Sequence, residues 1–374
     1  MRIAIIGAGP AGLYFASLWK RRHPSDEVRV IEQNPPDATW GFGVVFSDRA
    51  LEFLREDDPE TVDLILPRME TWRDMTIVHR SQSVRIDGVG FSAIGRLELL
   101  QILQHRARTA GANLQFSTTV KSLEMLTEFD LIIAADGVNS IVRRAHENAF
   151  GTTISQLGNR FIWYGTTKPF DTLTQTFVAC ELGAFNAHHY RYAPTMSTFL
   201  VECDSDTWAR AGFNTMEETT TLRTCERIFA TALQGHRLVS NRSFWRSFPW
   251  IWNEHWFISN LVLLGDALHT AHYSIGSGTR LALEDAVALV KALEAEPADL
   301  SAALGLFEMR RKPIAKMLVA ASRASALWYE QYSEQMRFQP HELAMAYISR
   351  TGRVNRDRLR TMSPDFMAYY DSCK

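Results

Sequence analysis

The chain has 374 residues, 46% hydrophobic and 22% charged, with a formal net charge of -2. That length exceeds what one compact core usually holds, so two closely packed domains are expected. The near-neutral charge gives no reason to expect nucleic acid or an acidic membrane surface as partner, and four cysteines without a CxxC pair point to reduced thiols, a cytoplasmic setting and no metal site.

In chain order, Arg2 to Gly7 reads as a short apolar strand, followed by GAGPAG and a helical pattern, LYFASLWKRR. The stretch Ile3 to Trp19 is too short and too glycine-rich for a membrane span or a signal peptide. EVRVIE, Glu27 to Glu32, is a second strand. Together these make a βαβ opening with GxGxxG at its first turn: Gly7 for the tight turn, Gly9 for close approach to a pyrophosphate, Gly12 for helix packing, and Glu32 for a ribose. Residues 33–50 read as a loop in which Gly41 and Gly43 allow another close backbone approach to a ligand. Trp72 to Val89 suggests a hairpin, Ile94 to Gly111 an amphipathic helix, and Asn113–Phe116 and Val120–Leu123 short strands. Phe129 to Ala134 is a buried-type strand that runs into ADGVNSIVRR, placing Asp136 and Gly137 at a strand's carboxyl end.

Residues 160–202 alternate as an antiparallel sheet, residues 215–234 look helical, and Phe244 to Phe257 is dense with aromatics. Leu261 to Leu264 returns to a buried strand and leads into GDALHTAHYSIGSG. From Thr279 the pattern is helical to about Met336, and the tail is helical in part, with breaks at Gly352 and Pro364. The expected fold is α/β: a discontinuous Rossmann-like domain (residues 1–70, 94–158 and 258–310), an interleaved antiparallel substrate domain (71–93 and 159–257) and a C-terminal helical region (311–374).

GAGPAG with Glu32, ADGVNSIVRR and LLGDALHTAHYSIGSG, in this order, resemble the class A flavoprotein monooxygenases, the para-hydroxybenzoate hydroxylase-like family. RFIWYGTTKPFD, AHHYRY, TMSTFLVEC and HYSIGSGT resemble a branch that holds salicyloyl-CoA 5-hydroxylase, 2-aminobenzoyl-CoA monooxygenase and the violacein-pathway indole hydroxylase. Where the wider family has a proline-containing segment, this chain has His272-Tyr273-Ser274-Ile275. The resemblance implies FAD, with NAD(P)H as a transient reductant, and oxygen insertion into an electron-rich ring through a flavin C4a-hydroperoxide. The cofactor shell it implies is Gly7, Gly9, Pro10, Ala11, Gly12, Glu32, Gln33, Gly43, Arg96, Asp136, Gly137, Gly265, Asp266, Gly276, Gly278 and Thr279.

Asp266 suits the ribityl hydroxyls as an acceptor. Gly276 and Gly278 are expected to leave bare N–H groups at a helix start, where a reduced, anionic flavin is favoured. His188, on the AHHYRY strand, and His272 are candidates to hydrogen-bond a ring substituent or relay its proton. Period two puts Tyr190 on the His188 face and Arg191 on the other, so the expected catalytic set is His188, His272 and Tyr190, while His269 serves the turn. The aromatic run divides between core packing and a stacking wall.

The substrate expected is a small aromatic molecule, most simply an aryl-CoA thioester, read by basic residues among Arg73, Arg80, Arg160 and Lys168. The alternatives are an indole-type hydroxylase, a halogenase or reductase on the same fold, and a non-catalytic flavin-binding partner. Asn253-Glu254-His255 breaks the WxWxIP pattern of halogenases. Neither nucleic acid nor membrane is expected as partner, and a monomer or homodimer is.

Overall fold

The structure is a computed structural model that describes residues 1–47 and 51–373. A six-stranded sheet runs Phe257–Ile258, Leu261–Leu263, Leu131–Ala134, Arg2–Ile6, Glu27–Ile31 and Asn113–Gln115, with every adjacent pair parallel except the first. Leu131–Ala134 is buried throughout and Arg2–Ile6 beyond its first residue, as parallel strands covered on both faces must be. Helix Pro10–Arg22 packs on Gly278–Ala295 and on Arg96–Thr109, and their apolar faces join the strands in one core. The strand order reverses beside Arg2–Ile6, which creates the crevice where such sheets bind ligands. GAGPAG, ADG and GDA therefore follow the carboxyl ends of three adjacent strands.

The second sheet runs Leu238–Val239, Thr152–Thr166, Met196–Cys203, Gly183–Ala193, Leu173–Cys180, Met75–His79 and Gln82–Ile86, and Arg246–Asn253 pairs with the start of Thr152–Thr166. All its pairs are antiparallel except Leu173–Cys180 with Met75–His79, which are parallel. The expected hairpin is present, and its sheet is the expected substrate sheet.

Three local expectations are corrected. Within the supposed loop 33–50, Gly43–Ser47 is a strand, paired with Phe91–Gly95 in a three-stranded sheet completed by Glu70–Trp72; positions 48–50 lie outside the described residues. Phe46 packs into the core of the parallel sheet and Val45 into that of the hairpin, so apolar contact on both sides drives a strand that its glycines conceal. The helix expected from Ile94 starts at Arg96, because Ile94 and Gly95 pair with Val44 and Gly43. Val120–Leu123 forms no strand; Val120 is buried and a 3₁₀ turn spans Leu123–Leu126.

Helices Glu218–Ile228 and Ala230–Leu233 follow the substrate strands, and Leu300–Tyr329 and Tyr332–Gln335 follow the parallel sheet. The tail forms Pro340–Ser349, Arg356–Met362 and Pro364–Ser372, with Gly352 in the first gap and Pro364 opening the last helix. Leu343, Ala344, Tyr347, Phe366 and Met367 share a core with Met75, Ile77, Val84 and Ile86 of the hairpin. Among the described residues no helix is long and apolar enough to cross a membrane.

Candidate active site

Gly7 has φ +101°, and a Cβ there would lie 2.4 Å from the Ala135 carbonyl; a Cβ on Gly12 would lie 2.3 Å from Gly7 O. Both glycines are needed for chain packing. Gly9 differs: the nearest atom to its Cβ position is 4.0 Å away, so this face of the turn is open to a ligand. Gly9 precedes helix Pro10–Arg22, whose N-terminus has no side-chain cap, leaving N–H groups and a positive pole for phosphate. Ala11 lies against the Gly265 turn. The Glu32 carboxylate accepts from Ala8 N at 2.9 Å and from Asn34 N at 2.8 Å, locking the second strand's end to the glycine turn. Gln33 beside it is exposed.

Asp136 Oδ2 accepts from Ile141 N at 2.8 Å, while Oδ1 is buried with no partner among the described residues. Burial pushes the Asp136 carboxyl up, opposed by hydrogen bonds from Ser140 and Ile141. Gly137, at φ +75°, has open space where a Cβ would lie. Gly265, at φ +61°, brings its turn against Ala11, whose Cβ is 3.1 Å from the position a Cβ would take. Asp266 is exposed; the protein around it raises its pKa and the nearby Arg96 lowers it. Arg96 is held down by burial and pulled back by Asp266 and Tyr190. Asp266, Arg96 and Tyr190 thus share one neighbourhood. An orphaned acceptor, an uncapped helix and two unfilled glycine faces along one crevice fit a dinucleotide.

Two glycine roles are corrected. Gly43 does not present bare backbone: its N–H donates to Thr198 Oγ1 at 2.9 Å and its carbonyl accepts from Tyr190 Oη at 2.9 Å. The missing Cβ makes room for Tyr192, whose Cβ would sit 2.5 Å away and whose ring 2.7 Å away. Gly276 also has its N–H engaged, donating to Tyr273 O at 3.0 Å, and its left-handed turn abuts Val45. Helix Gly278–Ala295 begins after it without a side-chain cap, so the free N–H groups of Gly278, Thr279 and the next residue form the positive pole.

The substrate sheet meets this crevice. His188 and Tyr190 lie on one face with rings 5.5 Å apart. His189 points the other way, bonded to Thr176 and stacked on Phe199, and Arg191 pairs with Glu70. His188 stands in one cross-strand rank with Gln175, Leu200 and Trp163. In this rank His188 Nε2, both amide atoms of Gln175 and Trp163 Nε1 are buried without partners among the described residues. From the opposite side, His272 Nδ1 bonds Ser274 Oγ at 2.8 Å, and Phe248 lies 4.9 Å from its ring. Burial and the Arg350 cation push His188 down to about 3; burial, Arg350 and His188 do the same to His272. Both imidazoles are neutral near pH 7 and lie within electrostatic reach of each other. His269 is apart from them, with Nε2 3.0 Å from Asp285 Oδ2 and its ring beside Trp252 and Trp256. The aromatic run divides accordingly: Phe248 faces the site, while Trp256 packs on Phe307 in the core.

Several residues were not legible as site members. Arg143, fully buried, donates to Ala267 O at 3.0 Å and to Val138 O, stapling the ADG turn to the GDA turn. Arg350 donates to Ser274 O at 2.8 Å and Ser325 Oγ at 2.8 Å, tying the tail to the His272 loop. Arg246 lies over Phe161 at 5.2 Å and in reach of Arg96 and Tyr273. Glu202 is buried beside Tyr273. Contacts with distant segments mark them, and such contacts are a tertiary property. The basic residues expected for CoA diverge: Arg80 bonds Arg337 O, Lys168 bonds Ala232 O, Arg160 bonds Ser247 and Arg73 is exposed. An open groove lined by His255, Phe257, Met309 and Lys312 contains none of the site residues.

A dinucleotide crevice at the switch point of a parallel sheet, roofed by an aromatic and polar sheet face, defines a flavin-dependent oxidoreductase. Residues 127–322 match the family described as FAD binding domain. The chain is 39% identical to salicyloyl-CoA 5-hydroxylase of a Streptomyces species, over 94% of this chain and 70% of that one. It is 37% identical to 3-hydroxy-4-methyl-anthranilyl-[aryl-carrier protein] 5-monooxygenase of Streptosporangium sibiricum, over 88% and 89%. It is 34% identical to protodeoxyviolaceinate monooxygenase of Chromobacterium violaceum, over 94% of each. Its fold is that of 2-methyl-3-hydroxypyridine-5-carboxylic acid oxygenase, with TM-score 0.72 over 94% of this chain and 95% of that one at 18% identity. The chain belongs to the FAD-dependent aromatic monooxygenases, with FAD as cofactor and NAD(P)H as the reductant typical of the class.

Proposed function

We propose that this enzyme hydroxylates an electron-rich aromatic ring carried on a thioester, such as a 2-hydroxy- or 2-aminobenzoyl group on CoA or a carrier protein. The observation that carries this reading is the rank of His188, Gln175 and Trp163, with polar atoms that lack protein partners. Buried polar groups without partners call for a ligand. The rank contains no charged side chain, which suits a neutral thioester carbonyl and a ring hydroxyl or amine better than a free carboxylate. Two relatives act, by name, on thioester-linked aryl groups.

Bound FAD, reduced by NAD(P)H, supplies the redox chemistry with O₂, and one oxygen atom enters the ring while the other leaves as water. The chain's part is to hold and orient. In this reading the Gly9 turn and helix Pro10–Arg22 take the pyrophosphate, Glu32 the adenosine ribose, Asp136 a hydroxyl near the pyrophosphate and Asp266 the ribityl chain. Arg96 neutralises charge beside Asp266. Neutral His188 and His272 hydrogen-bond the ring substituent, and Phe161, Trp163 and Phe248 keep water from the reacting carbon. Tyr190 positions the Gly43 strand through its hydroxyl.

The test is NAD(P)H oxidation by the FAD-loaded protein with salicyloyl-CoA, 2-aminobenzoyl-CoA, their free acids and indoles, with product mass recorded. A gain of one oxygen on a thioester, with the free acid inert, is expected. Stimulation by indoles alone would replace this reading with an indole-type hydroxylase, which the relative from Chromobacterium violaceum favours.

A further inference from the structure

Glu202, in the strand Met196–Cys203, is 1% exposed. It accepts a hydrogen bond from Tyr273 Oη at 2.6 Å on one carboxylate oxygen and from Asn159 Nδ2 at 2.7 Å on the other. This contact joins two phrases of the sequence, TMSTFLVEC and HYSIGSGT, that lie 71 residues apart. In the register Glu202 stands opposite Asn186 and Phe161, one rank beyond Leu200 and His188. Period two therefore puts it on the pocket face. Tyr273 sits between Asp266 and Gly278, half-buried, with rings of His272 at 4.0 Å, Phe161 at 4.9 Å and Phe248 at 6.1 Å.

We propose that Tyr273 and Glu202 form the proton acceptor for the substrate's ring hydroxyl, Tyr273 meeting the substrate and Glu202 storing the proton. This rests on the aromatic-hydroxylase reading. The substrate's O–H bond breaks as a new O–H forms on Tyr273; the original phenolic O–H breaks as one forms on Glu202. No electrons change owner. The substrate gains the negative charge that enriches its ring, and the carboxylate becomes a carboxylic acid. After product release the proton returns by the reverse path.

The surroundings suit the task. Burial and the facing Glu330 push the Glu202 carboxyl up to about 7, against the hydrogen bonds of Tyr273 and Asn159. Glu330 is fixed by the N–H groups of Gly158 and Asn159, at 2.7 and 2.9 Å. Tyr332 donates to the Glu202 carbonyl, and Tyr329 and Cys203 also interact with its carboxylate, with Asp204 beside Tyr332 and Cys203. On the pocket side Tyr273 interacts with Arg246. A base near the working pH transfers protons best. The two neutral histidines, held near 3, are too weak as bases to store a proton.

The experiment is the pH profile of oxygenated product per NAD(P)H consumed, for the FAD-loaded wild type, Glu202→Gln, Glu202→Asp and Tyr273→Phe, with the substrate panel above. Wild type should lose product formation below neutral pH. Glu202→Gln and Tyr273→Phe should each lose about tenfold or more in product and lose that acid limb. Glu202→Asp should keep a limb with a displaced midpoint. Should Glu202→Gln fail to hold flavin, Tyr273→Phe decides, since it keeps the carboxylate and its bond to Asn159. An acid limb unchanged in Glu202→Gln or Tyr273→Phe overturns the proposal, even if activity falls. No oxygenated product from wild type with any substrate overturns the hydroxylase reading, and this proposal with it, before a variant is made.

Discussion

Asp266 and His188 illustrate two kinds of site residue. Asp266 is a carboxylate whose pKa the surrounding protein raises and the nearby Arg96 lowers. Asp266→Ala should therefore weaken FAD retention about tenfold or more, the scale of a lost charged hydrogen bond; full flavin occupancy after gel filtration would remove it from this role. His188 is a neutral imidazole with an unpartnered Nε2. His188→Ala should leave flavin binding intact and lower the fraction of NAD(P)H turned into product. Unchanged coupling with the true substrate would make it a packing residue.

At the scale of elements, the site is assembled by turns that touch. Gly265 adopts φ +61° against Ala11. Gly265→Ala should cost about 1–3 kcal/mol in stability through backbone strain, and more in flavin retention, because the turn that carries Asp266 must back away from the helix that holds the phosphates. Differential scanning fluorimetry with and without added FAD separates the two effects. The Arg350 clamp is a second such joint. Arg350 ties the Ser274 carbonyl to the tail, and the same tail covers the hairpin core. Ending the chain at Gln339 should lower Tm and loosen the His272 loop together; flavin retention at the wild-type level in that truncation would show that the loop holds without the tail.

For the whole molecule, buried titratable groups set the response to pH. His188 and His272 have folded pKa values near 3, below the usual imidazole value. Their stability is present above pH about 6.5 and is lost as pH falls, because the unfolded chain takes up the protons first. Glu202 works in the opposite sense: its folded value near 7 exceeds the unfolded one, so its contribution is present below pH about 4.5 and is lost as pH rises through 7. Between pH 6.5 and 5 each histidine removes about 1.5 kcal/mol and Glu202 returns about as much. Wild type should thus lose stability on acidification, and Glu202→Gln should lose about 1.5 kcal/mol more than wild type over the same interval. Denaturant melts at the two pH values give both numbers, and equal losses would mean that Glu202 is not protonated in the native state.

The parallel sheet, its three ligand-side motifs and the antiparallel substrate sheet were all legible in the chain, because each is written locally. A glycine turn needs glycine where φ is positive or backbones touch, a buried parallel strand needs an unbroken apolar run, and a half-buried strand alternates. His188 and Tyr190 were placed on one face by period two alone. What only the tertiary structure decided were contacts between distant segments: the strand Gly43–Ser47 hidden among glycines, Arg143 buried between two turns, and Glu202 meeting Tyr273. The packing also decided that Gly276 uses the N–H group that looked free, and that Gly43 turns its backbone to protein partners. Ionisation followed the same rule, since a histidine has its ordinary pKa in any sequence and loses it only when other elements take away its water.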